Sequence, residues 1–231
     1  MAIHAGSSIP ERTVQVETGP VRLEGALAVP EPVVGIVLFA HGSGSSRHSP
    51  RNRYVAHVLN AAGLATLLVD LLTPEEEAVD VRTRHLRFDI GLLARRLGGA
   101  AAWLGQQQDI GHLPLGLFGA STGAAAALVL AAAQPGRVRA VVSRGGRPDL
   151  AGPVLERVVA PTLLIVGGAD DPVIAMNREA MARMSGETRL TIVPGATHLF
   201  EEPGALEHVA ALARDWFLRY LIPEPNPDPT D

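Results

Sequence analysis

The sequence predicts an α/β protein, a three-layer α/β/α sandwich with helices on both faces of a mainly parallel sheet of about seven to eight strands. Three observations predict it. Continuous apolar runs such as Val33 to Ala40 and Leu115 to Phe118 suit strands buried on both faces. Between them lie Ala-, Leu- and Arg-rich segments of helical length. Strand-like and helix-like segments also alternate along the chain, the pattern of parallel strands joined by crossover helices.

The elements follow in order. Thr13 to Glu17 and Val21 to Val29 flank Gly19-Pro20 and read as an opening hairpin. Val33 to Ala40 is a buried strand, Tyr54 to Ala62 a helix stopped by Gly63, and Ala65 to Leu71 the next buried strand. An acidic stretch around Glu75, Glu76 and Glu77 reads as a solvated loop or helix start, and Leu86 to Leu104 as a longer helix. Leu115 to Phe118 is a strand that runs into a helix over Ala124 to Ala133. Strands follow at Val138 to Ser143, Thr162 to Val166 and Arg189 to Val193, with helices at Ile174 to Met184 and Ala205 to Leu221. Only about eighteen residues separate Ser143 from Thr162, too few for a large lid, so an open or shallow pocket is expected. Residues 1–222 are expected to form one domain, and 223–231, with four prolines, a disordered tail.

Composition narrows the function classes. Hydrophobic residues make up 47% and charged residues 19% of the 231, enough apolar surface for a sizeable core. The net charge of −4 argues against a nucleic-acid partner. All 20 basic residues are Arg, which we read as compositional bias. The absence of Cys removes disulfides, thiolate metal sites and a cysteine nucleophile. Met1 to Pro10 lacks the basic end and apolar stretch of a signal peptide. No apolar run reaches the roughly eighteen residues of a membrane span. A cytoplasmic protein without a membrane partner, monomeric or homodimeric, is the expectation.

The chemistry concentrates at Gly119-Ala120-Ser121-Thr122-Gly123, set between strand and helix. A serine on a sharp strand-to-helix turn is strained, and bulky neighbours two positions away would collide, so the G-x-S-x-G spacing reads as a nucleophile elbow. The nucleophile needs a base, and the base an orienting carboxylate. Past later strand ends stand Gly167-Gly168-Ala169-Asp170-Asp171-Pro172 and Pro194-Gly195-Ala196-Thr197-His198, in the order Ser, acid, His. His198 is the candidate base. Of the adjacent acids, Asp171 is favoured over Asp170 because Pro172 follows it; otherwise both merely cap the next helix. An oxyanion needs backbone N–H donors. Thr122 should supply one, and the loop His41-Gly42-Ser43-Gly44-Ser45-Ser46 the other, with Ser43 preferred and Gly42 next. That loop has no G-x-x-x-x-G-K-[ST] or G-x-G-x-x-G spacing, which argues against a nucleotide site.

With these motifs in order, the chain resembles the α/β-hydrolase superfamily, and most closely its small, lidless dienelactone-hydrolase-like branch. The resemblance runs from Val21 to about Leu221 and is carried by His41 to Gly44, Gly119 to Gly123, Gly168 to Val173 and Gly195 to His198. Ser143-Arg144-Gly145-Gly146-Arg147-Pro148-Asp149 also resembles a bacterial subgroup, some of whose members are fused to a phosphoribosyltransferase-like domain. The resemblance implies the fold and the triad. Dienelactone hydrolases proper use cysteine where this chain has Ser121, so the substrate does not carry over.

Arg144 follows a strand close to the expected site and could anchor an anionic substrate or simply pair with a loop acid. Asp70 reads as a strand terminator, Trp103 and Trp216 as packing residues, and Arg82, Arg84, His85 and Arg87 as a solvated helix face or a flap. The expected activity is cleavage of a small carboxylic ester, thioester or lactone through Ser121, His198 and Asp171, without metal or organic cofactor. Acyl transfer on the same scaffold and a non-catalytic sensing module are the alternatives.

Overall fold

Eight strands build one sheet: β1 (Glu11–Thr18), β2 (Val21–Ala28), β3 (Gly35–Ala40), β4 (Leu64–Val69), β5 (Leu115–Ala120), β6 (Val138–Arg144), β7 (Thr162–Gly167) and β8 (Thr188–Val193). Their spatial order in this computed structural model is β1-β2-β4-β3-β5-β6-β7-β8. The structure describes residues 9–222; the tail read from 223–231 lies outside them. β1 and β2 form the expected hairpin, with Thr18 opposite Val21, and β2 pairs antiparallel with β4. Every other pairing is parallel. After β3 the chain builds outward to β4, then crosses back to place β5 on the other side of β3. The winding therefore reverses between β3 and β5, and in open parallel sheets the crevice at such a point, beyond the carboxyl ends of the strands, is where ligands bind.

Alternation along the strands feeds two cores. Ile36, Leu38 and Ala40 of β3 face one, Val37 and Phe39 the other. The first core receives α3 (Ile90–Gly105) and α4 (Thr122–Ala133); the second receives α1 (Pro50–Ala61) and α6 (Ala205–Leu221). α5 (Asp171–Arg183) lies beside β7 and β8. Between β6 and β7 the chain makes only 3-10 turns over Pro148–Arg157, so no lid domain covers the sheet edge there. No described helix is long and apolar enough to cross a membrane.

Three differences from the sequence reading arise from caps. α1 begins at Pro50 instead of Tyr54: the Ser49 hydroxyl accepts from the Asn52 N–H at 3.4 Å and Pro50 opens the first turn. The acidic stretch is a helix, α2 (Pro74–Thr83), held by a reciprocal capping box in which Glu76 N–H donates to Thr73 and Thr73 N–H donates to Glu76. α3 starts at Ile90, not Leu86, because Asp89 caps it by accepting from the Leu92 N–H at 2.8 Å. The intervening turn is pinned by the fully buried Asp80, which accepts from the Leu86 N–H at 2.7 Å and pairs with Arg87. Arg87 is thereby tied down, not part of a solvated face.

α6 presses on β5 through Phe217, whose ring leaves no space for a side chain at residue 116: a Cβ on Gly116 would sit 2.6 Å from it. Gly116→Ala should therefore destabilise by about 1–3 kcal/mol through overpacking. Combining it with Phe217→Leu should recover part of that loss, measured as non-additivity in denaturant unfolding.

Candidate active site

Ser121 sits between β5 and α4 at φ 50°, ψ −122°, a left-handed backbone that serine adopts only under constraint. Its neighbours supply the constraint. Its N–H donates to the Arg144 carbonyl at 3.3 Å, and its carbonyl accepts from Ala124 and Arg147 at 3.1 Å each. Gly119 and Gly123 are required sterically. A Cβ at 123 would lie 2.2 Å from the Ala40 carbonyl oxygen, and one at 119 would lie 2.4 Å from the Ala124 Cα.

His198 and Asp170 come from loops beyond β8 and β7. The His198 ring donates from Nδ1 to Asp170 Oδ2 at 2.7 Å, which leaves Nε2 as its free nitrogen. The structure brings Asp170, and not the expected Asp171, against His198. Asp171 is the first residue of α5 and is exposed, whereas Asp170 occupies the N-cap position and makes no side-chain cap. The helix begins at Asp171, three residues before the expected Ile174 boundary, so the residue still in the turn, and turned toward the histidine, is Asp170. Ser121 and His198 line a common cavity of about 280 Å³ with Gly42, Ser43, Ser45, Arg51, Arg144 and Leu199.

The loop after β3 contributes Gly42, Ser43 and Ser45 to the lining of this cavity. Among the described residues, neither the Ser43 nor the Thr122 N–H has an intramolecular acceptor. The loop is anchored from behind by two devices that the sequence reading missed. The buried His41 accepts the Leu71 N–H at Nε2 (3.0 Å) and donates from Nδ1 to the Gly42 carbonyl (2.9 Å). Arg47 donates its backbone N–H to Asp70 at 2.6 Å, and its guanidinium pairs with both Asp70 and Glu24. Asp70 is thus a clamp and not simply the end of a strand. Only long-range pairing of β2, β4 and the loop brings these three together.

Arg144, the last residue of β6, lies opposite Ala120 across the sheet. Its side chain is 8% exposed and makes no hydrogen bond to any described residue, and Nη1 is buried without a partner. The alternative of pairing with a loop acid is not what the structure shows. Burial, and secondarily the charge of Arg51, lower its pKa to about 10. Among the described residues no cluster of His, Asp or Glu has the arrangement of a metal site.

A model of the dienelactone hydrolase family matches residues 23–221. The chain belongs to the dienelactone hydrolase family. It is similar to a dienelactone hydrolase from Anabaena variabilis, with 64% identity, a TM-score of 0.91, and coverage of 93% of this chain and all of that one. It is also 63% identical over 222 residues to proteins from two Mycobacterium tuberculosis strains, each named "putative phosphoribosyl transferase". That match covers 95% of this chain and 49% of theirs, so the chain spans about half the length of the curated relatives it matches. The fold is shared more widely: Est1E from Butyrivibrio proteoclasticus superposes with a TM-score of 0.75 at 14% identity over 90% of this chain and 98% of that one. Family membership makes this chain an α/β hydrolase.

The buried His41 carries a pH consequence. Burial, opposed by the Gly42 carbonyl and by Asp70 and Glu77, keeps its pKa below the ordinary 6.5. As pH falls through that value the unfolded ring takes up a proton that the folded ring resists, so acidification removes stability. The melting temperature should fall between about pH 7 and pH 5, above the ordinary carboxylate range, and fall less in His41→Gln.

Proposed function

We propose that the protein is a serine hydrolase of small carboxylic esters, thioesters or lactones, with Ser121 as nucleophile, His198 as base and Asp170 as the orienting carboxylate. The observation that carries this reading is the 2.7 Å His198–Asp170 hydrogen bond beside a serine held in the left-handed region, with both Ser121 and His198 in one cavity. With Nδ1 committed to Asp170, the tautomer is set so that Nε2 accepts the Ser121 proton as Oγ attacks the carbonyl carbon. Negative charge then forms on the carbonyl oxygen, where the N–H groups of Thr122 and Ser43 stabilise it. Collapse expels the alcohol, thiol or ring oxygen, which leaves with the proton from His198. Water, deprotonated by the same imidazole, attacks the acyl-enzyme, and Ser121 departs with its proton restored. No step calls for a metal or organic cofactor.

The phosphoribosyl transferase name attaches to proteins twice this length, and we read function from the site the chain carries. Transfer of the acyl group to another acceptor would use the same first half-reaction. Added alcohols or amines would reveal it as new ester or amide products.

Hydrolysis of p-nitrophenyl acetate and butyrate tests the reading. Ser121→Ala and His198→Ala should each lower turnover by several orders of magnitude, as expected when the groups act as a unit. Asp170→Asn should cost on the order of 10²–10⁴-fold in kcat by favouring the wrong tautomer, while Asp171→Asn stays within about twofold. The reverse order for the two aspartates would refute the assignment of Asp170.

A further inference from the structure

The cavity beside Ser121 holds a buried arginine, Arg144, to which the described residues offer no acid. Arg144 is more than nine-tenths buried, its side chain makes no hydrogen bond to any described residue, and its Nη1 is sealed from solvent without an acceptor. Arg51, on the first turn of α1, lines the same cavity. Its Nε is also buried without a partner, and its Nη1 donates to Glu201 at 3.1 Å, a glutamate whose side chain is 64% exposed. No carboxylate lines the cavity. A buried cation is tolerable when paired, and an unpaired one is costly. Here the second cation adds repulsion, which together with burial pulls Arg144 down to about 10. At neutral pH Arg144 nevertheless remains charged, and the cavity beside Ser121 is lined by two guanidinium groups.

We propose that Arg144 and Arg51 form an anion subsite within the catalytic cavity that holds a phosphate monoester group of the substrate, so that preferred substrates are small esters that also carry a phosphate. The inference rests on the hydrolase reading above and adds the substrate class. A dianion fits the charge count better than a monoanion. A carboxylate is satisfied by a single guanidinium in bidentate fashion, which leaves the other without a contact to the ligand. A phosphate carries about −1.5 to −2 charge at pH 7 and three acceptor oxygens, enough for both. The exposed Arg51–Glu201 pair contributes little in water and gives way readily. The cavity of about 280 Å³ has room for a phosphate and a short acyl ester, not for a long chain. Arg144 also leaves β6 directly beside Ala120, so a phosphate held there fixes the ester carbonyl near Ser121 from one side.

The test compares three acetyl esters of matched length in phosphate-free buffer: 2-acetoxyethyl phosphate, 3-acetoxypropanoate and 2-acetoxyethanol, followed by acetate release. KM for the phosphate ester should lie about ten- to a hundredfold below that for the neutral ester, the range expected of charge-assisted hydrogen bonds. The carboxylate should fall between them. In Arg144→Gln the preference for phosphate should collapse toward unity, with Arg144→Lys retaining part of it. Arg51→Gln, at a less buried position, should reduce it and guards against misfolding of the Arg144 variants. Inorganic phosphate should bind Ser121→Ala protein in calorimetry, and binding should be lost on adding Arg144→Gln. Equal KM for the three esters, or a carboxylate preference at least as large, overturns the subsite while leaving the hydrolase standing. Failure to hydrolyse any ester, with phosphate still bound by Ser121→Ala, overturns the hydrolase reading instead.

Discussion

The N-terminus of α4 is pressed so close to the end of β3 that residue 123 has no space for a Cβ, which would meet the Ala40 carbonyl oxygen at 2.2 Å. That contact is the constraint on which the site depends. It forces the chain to leave β5 and enter α4 in a single residue, and that residue, Ser121, takes φ 50°. It also brings the loop after β3 against the nucleophile. The sheet makes the contact possible: β3 and β5 are neighbours only because the winding reverses between them. Parallel registers then carry the ends of β6, β7 and β8 to the same edge, and Arg144, Asp170 and His198 arrive there in turn.

Around this edge the charges are segregated. Behind the loop after β3, Arg47 is neutralised by Asp70 and Glu24 and acts as a clamp. Within the cavity, Arg144 has no such partner. The same residue type therefore plays opposite parts within one site, according to whether an acid lies within reach. Anchoring through His41 and Arg47 fixes the loop, and under the proposed function donors fixed in advance avoid reorganisation as charge develops.

The architecture was legible in the sequence wherever a local rule dictates it. Continuous apolar runs marked the central strands, the turn at Gly19-Pro20 marked the hairpin, and the elbow was visible because its geometry leaves no space for a side chain at 119 and 123. The start of α2 was written in Thr73 and Glu76, a capping-box spacing that an acidic stretch obscured. The arrival of Ser121, the Asp170-Asp171 pair and His198 past successive strand ends was likewise readable. The choice between Asp170 and Asp171 was not, because a shift of one residue in where α5 begins swings the carboxylate from solvent to His198. Nor were the clamp on Arg47 and the isolation of Arg144: both depend on which side chains the sheet order brings together across twenty or more residues.

The central claim is that Ser121 is an activated nucleophile. Labelling of the folded protein with a fluorophosphonate, with the site located by mass spectrometry, tests it most directly. The account predicts a single covalent adduct on the peptide that contains Ser121. Folded protein that takes up no label, or a label on any other residue, would contradict it.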